Sequence, residues 1–88
     1  MHLVATFPST QAALGAEQAL AGKVPVELIP VPRRIHSQCG FCLLVGPLAS
    51  EGTAIAALRD QGADGLWRVI ESISPGSGRK EKRYEPCP

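Results

Sequence analysis

The chain has 88 residues, is 44% hydrophobic, carries a formal net charge of +1 and holds three cysteines. That length makes one domain with a thin core, and so small a net charge makes the folded part no polyanion binder by charge alone. The odd cysteine count excludes a complete internal disulfide framework, and the longest apolar run, "FCLLV", falls far short of the ~18 residues a membrane-crossing helix needs.

The start, "MHLVATFPST", has neither a basic segment nor a long apolar one, so a signal peptide is not expected and a reducing cytoplasmic setting is. "HLVATF" reads as a first strand, stopped at Pro8. "STQAALGAEQALAG" follows as a helix, with Ser9 or Thr10 as its cap and Gly22 as its end. Ala13, Ala16 and Leu20 recur at helical spacing, and the many alanines let this face lie close to a sheet. "VPVELI" is a second strand, starting past Pro25 and ended by Pro30 and Pro32. "GFCLLVG" is a third, short and almost wholly apolar, as a central strand is.

Pro47 breaks that strand, and Ser50 is the expected cap of a second helix, "EGTAIAALRDQG", lined by Ala54, Ile55 and Leu58. "GLWRVIESI" is a fourth strand, with Trp67, Val69 and Ile73 on one face and Leu66 and Ile70 on the other. Residues 79–88 carry four basic and two acidic side chains. "SPGSGRKEKRYEPCP" loses periodicity and gains Pro, Gly and charge, which predicts a disordered tail.

The order βαββαβ predicts an α+β, ferredoxin-like split: four antiparallel strands with both helices on one face. The expected domains are residues 1–74, folded, and 75–88, a disordered basic tail. The bare sheet face would be partly apolar, which suggests a homodimer through that face; a thin core with some exposed apolar atoms explains the same pattern.

The chemistry gathers in "LIPVPRRIHSQCGFCLLV" (28–45). Pro30 and Pro32 stiffen the chain ahead of a loop bearing Arg33, Arg34 and His36, then Ser37, Cys39 and Gly40. Nearby cations favour a thiolate, the nucleophilic form of cysteine, and Gly40 removes a side chain beside it. A half-buried cysteine packing at a strand start fits the same residues. Cys39 and Cys42 form Cys-x-x-Cys, a candidate dithiol with Cys42 as resolving thiol. In a regular strand, however, residues three apart lie ~10 Å from each other on opposite faces, beyond the ~7 Å Cα separation that a disulfide spans. His36, Cys39 and Cys42 have a zinc-like spacing but lack a second local ligand pair. No metal and no cofactor are expected. Four aromatics, Phe7, Phe41, Trp67 and Tyr84, without a basic face, give no nucleic-acid platform.

"FPSTQAALGAEQAL" and, more specifically, "ELIPVPRRIHSQCG" resemble a family of small bacterial proteins described as putative selenium/sulfur carrier-like. The matching residues are Phe7, Ser9, Thr10, Glu17, Leu28 to Arg33, Ser37, Cys39 and Gly40, within a resemblance that covers roughly residues 3–73. It implies that Cys39 bears sulfur or selenium as a persulfide or selenide. A donor such as a cysteine desulfurase would load it, and an acceptor protein would unload it. Arg33, Arg34, His36, Ser37 and Gly40 would stabilise the anion. Cys42 and His36 depart from the family pattern and point to a thiol pair or a metal. A carrier or adaptor fits better than a turnover enzyme; the alternative is a noncatalytic interaction domain or small dithiol accessory. The geometry expected of a presented thiol is a partly exposed Cys39 sulfur with a cation within ~6 Å, and a buried Cys42 on the opposite face.

Overall fold

The computed structural model describes residues 1–87. The elements are β1 (His2–Thr6), α1 (Thr10–Leu20), β2 (Val26–Pro30), β3 (Phe41–Val45), α2 (Gly52–Asp60), β4 (Gly65–Ile73) and β5 (Lys80–Pro86). The architecture is α+β, with two helices and a five-stranded sheet in the order β2-β3-β1-β4-β5. Every neighbouring pair is antiparallel.

Alternation along the strands sorts the side chains. Leu3 and Ala5 of β1, Leu43 and Val45 of β3 and Leu66 of β4 pack with Ala13, Ala16 and Leu20 of α1 and with Ala54 and Leu58 of α2. Both helices therefore lie against one face, and small residues allow the close approach. Ser9 caps α1, its Oγ accepting from the Ala12 amide at 3.1 Å. The start of α2 differs from expectation. Glu51, not Ser50, is the capping residue, and its side chain makes no cap bond. The reason is a competing partner: Arg68 of β4 donates to both Glu51 oxygens, at 2.7 and 2.5 Å. That hydrogen-bonded pairing holds the Glu51 carboxyl below its ordinary range and raises the Arg68 guanidinium above its own. Arg68 also reaches Glu85 of β5 at 3.4 Å.

The opposite face is not bare. Val4, Cys42 and Ile35 form a second buried cluster there, with Ile29, Val31, Leu44, Trp67, Val69 and Tyr84 packed against it. Ile35 comes from the β2–β3 loop. Burial of its side chain folds the loop back across the face, since leaving an isoleucine in water forgoes about 1.5–3 kcal/mol.

The expected four strands are also corrected to five. Residues 80–86 pair with β4 from Trp67↔Pro86 to Ile73↔Lys80. The sheet therefore runs on past residue 74. The closing turn uses Gly76 and Gly78, both at positive φ (91° and 68°), a conformation glycine adopts at no steric cost. Ser74 and Arg79 close it, with the Ser74 amide donating to the Arg79 carbonyl at 2.8 Å. Pro88, the last residue of the expected tail, lies outside the described residues. Among the described residues, no helix is long and apolar enough to cross a membrane.

Candidate functional site

Antiparallel pairing of β1 with both β3 and β4 brings three junctions to one end of the sheet. Thr6, the last residue of β1, sits opposite Cys42 near the start of β3 and opposite Gly65 at the start of β4. The β1–α1 turn, the exit of the β2–β3 loop and the α2–β4 turn therefore meet.

Local chemistry shapes the loop. The Ile35 amide donates to the Pro32 carbonyl at 3.0 Å, which makes a turn with Arg33 and Arg34 at its exposed corner. Ser37 Oγ then accepts from the Cys39 amide at 3.2 Å, the side-chain-to-backbone bond that serine offers in place of regular structure. The Val31 amide donates to the Gly40 carbonyl at 3.1 Å and closes the loop. A Cβ built on Gly40 would meet nothing within 4 Å, so the position beside Cys39 is open.

This path turns the Cys39 sulfur inward. Thr10 Oγ1, in the first turn of α1, lies 3.5 Å from Sγ, with either atom able to donate. The Phe41 amide donates to the same sulfur at 3.5 Å. Cys39 is only 6% exposed. The expectation of a partly exposed sulfur is therefore corrected, because Cys39 is buried. Arg33, Arg34 and His36 are exposed, and the sulfur is held by a hydroxyl and a backbone amide at a helix N-terminus. Such an end carries partial positive charge and favours anions. Phe41, the next side chain along, is 41% exposed and gives this end of the molecule an apolar tip.

Cys42 is where strand alternation puts it: on the face away from the helices, fully buried with Val4 and Ile35. All three cysteines are free, and Cys87 packs partly buried against the helix-side core. Among the described residues no three His, Cys, Asp or Glu side chains gather as a metal site.

Burial, reinforced by neighbouring Cys39, pushes the Cys42 thiol from 9.0 up to about 11. It is protonated at neutral pH and shielded, a poor nucleophile in the folded state. The shift has a consequence for stability. An unfolded chain ionises this thiol above pH 9, whereas the folded chain resists. The stability it contributes is complete below pH 9 and is lost as pH rises toward 11, a change of about 2–3 kcal/mol. Denaturant melts at neutral and alkaline pH are expected to show this loss in the wild type and not in Cys42→Ala. Equal alkaline losses in both proteins would assign the effect to other groups.

Sequence reasoning did not single out Thr10 or the Phe41 amide as partners of the sulfur. The signal was present: if the first and third strands are antiparallel neighbours, the end of one must adjoin the start of the other.

A family model described as Putative Se/S carrier protein-like matches residues 2–66, a span that includes both helices and the whole Cys39 loop. Neither a curated protein nor a solved structure matches the chain. With about three quarters of its length inside that one match, from the start of β1 to the first residues of β4, the chain belongs to the Putative Se/S carrier protein-like family.

Proposed function

We propose that the βαββαβ core is a ferredoxin-like split that carries sulfur or selenium on Cys39. The observation supporting this most directly is the pair of groups on its sulfur, the Thr10 hydroxyl and the Phe41 amide, at the N-terminus of α1. A persulfide or selenide anion there would accept two hydrogen bonds and sit in a favourable dipole field. In the loading step the Cys39 thiolate attacks the outer sulfur of a donor cysteine persulfide. The donor S–S bond breaks, the donor leaves as a thiolate, and the sulfane sulfur moves without net oxidation or reduction. In unloading, an acceptor nucleophile attacks that sulfur and Cys39 leaves as the thiolate.

Burial assigns the loop a role. It shields the cargo, and a docking donor or acceptor protein displaces the loop to reach it. The exposed Arg33, Arg34 and His36 then meet the partner instead of the sulfur. A cysteine desulfurase is the donor class this chemistry fits, and the reducing cytoplasm is the compartment where such thiols stay free.

Intact mass after incubation with a cysteine desulfurase and cysteine tests the reading. A gain of about 32 Da, or of about 79 Da with a selenium donor, is expected in the wild type, Cys42→Ser and Cys87→Ser. Cys39→Ser should show none. Absence of any adduct with every donor overturns the carrier role.

The low exposure of Cys39 favours a second reading, a noncatalytic interaction domain in which this cysteine only packs. Alkylation of the native protein separates the two. Labelling of Cys39 well before Cys42 and before global unfolding supports the carrier. Protection of Cys39 until the protein unfolds supports the packing domain.

A further inference from the structure

The end of the sheet that holds Cys39 also forms a cleft of about 380 Å³, lined by Thr6, His36, Ser37, Gln38, Asp64 and Trp67. Its size falls at the lower end of the roughly 300–1,000 Å³ typical of small-molecule sites. Cys39 does not line it, so the carrier chemistry leaves it unused.

The two walls differ in chemistry. One comes from the sheet end. Thr6 is the buried polar side chain among the described residues, 2% exposed, and it donates to Asp64 Oδ1 at 2.6 Å. The Asp64 amide in turn donates to the Thr6 carbonyl at 2.9 Å. The carboxylate that lines the cleft is thus fixed in orientation through Oδ1. Trp67 lies beside it. Its ring folds back over Gly65, where an added Cβ would overlap the indole and approach Thr6 Oγ1 to 2.7 Å. A fixed carboxylate next to an indole is a cation-attracting surface, because both the charge and the ring quadrupole favour an ammonium. The other wall is the loop, with the His36 imidazole, the Ser37 hydroxyl and the Gln38 amide, all able to donate hydrogen bonds. Those are groups that a carboxylate seeks.

We propose that this cleft binds a free α-amino acid, its ammonium against Asp64 and Trp67 and its carboxylate against the loop wall. A zwitterion satisfies both walls, whereas a simple amine or a simple acid satisfies one. Ser37 and Gln38 directly precede Cys39, so the occupant sits beside the turn that holds the sulfur. The binding itself does not depend on the carrier reading.

Trp67 is the single tryptophan, so intrinsic fluorescence reports on this cleft. The titration uses Cys39→Ser protein, which removes carrier chemistry from the readout, and the standard L-amino acids as probes. At least one is expected to give a saturable change in emission. Its α-amide and its deaminated acid should each bind about tenfold more weakly, as loss of a charge-assisted hydrogen bond implies. Asp64→Asn keeps an oxygen for Thr6 and should weaken the amino acid by a similar factor without lowering the melting temperature. No saturable change across the panel overturns the proposal, as does equal binding of the deaminated acid or equal binding by Asp64→Asn. If that variant fails to fold, the two ligand analogues decide alone. Either result leaves the mass-adduct test of Cys39 unaffected.

Discussion

Phe7→Ala is expected to cost about 3–5 kcal/mol, the range for removing a fully buried phenylalanine. Phe7 is completely buried and belongs to the helix-side core with Leu3, Leu43 and Leu58. A domain of this size has a total stability of about 4–13 kcal/mol, so the variant loses a large share of it. The position matters beyond its volume. Phe7 anchors the chain just before Pro8, Ser9 and Thr10, the segment that caps α1 and places a hydroxyl on the Cys39 sulfur. Alkylation of Cys39 is therefore expected to accelerate along with the fall in denaturant midpoint. A midpoint shift corresponding to less than about 1 kcal/mol would mean that the site collapses around the void more fully than close packing allows.

Ending the chain at Ser74 is expected to cost about 2–4 kcal/mol and to make the protein associate. The loss includes the Arg68–Glu85 contact, the Tyr84 side chain packed on the second cluster, and the Cys87 amide bond to the Leu66 carbonyl at 2.8 Å. Two partly buried side chains and a few hydrogen bonds account for that magnitude. The truncation also turns β4 into an open edge bearing Trp67, Val69, Ile70 and Ile73, an invitation to pair with other chains. Thermal melts and sedimentation at rising concentration check both effects. An unchanged melting point in a monomeric truncated chain would return residues 75–88 to the disordered tail that their composition suggests.

The contrast between β4 and β5 explains what could be read in advance. β4 shows in "GLWRVIESI" because a half-buried strand has to alternate, and its bounds, Gly65 and Ile73, are legible to the residue. β5, "KEKRYEP", is an outer strand whose first four side chains are charged and exposed. Over that exposed stretch there is no period to see, and the Pro and Gly ahead of it read as the start of a tail. The same logic divides the site. Cys39 is legible because its cationic, proline-stiffened loop is local in sequence. Thr10 lies 29 residues away and Asp64 lies 58 residues from its Thr6 partner, so topology alone brings them together. Exposure of the Cys39 sulfur was misjudged for a related reason. The inward turn depends on the Ser37 hydroxyl and on where Ile35 finds its burial, and neither is fixed by neighbours in the chain.

The two outer strands of the sheet end differently from its interior. β2 is preceded by Pro25 and finishes on Pro30, while β5 presents Lys80, Glu81, Lys82 and Arg83. A proline offers no N–H to a newcomer, and charged side chains resist the desolvation that stacking against another chain demands. Growth by adding strands from further molecules, the route to fibrils, is thereby discouraged at both flanks. Docking by side chains and loops, such as the Phe41 tip and the arginine corner, is thereby favoured over addition of a sixth strand.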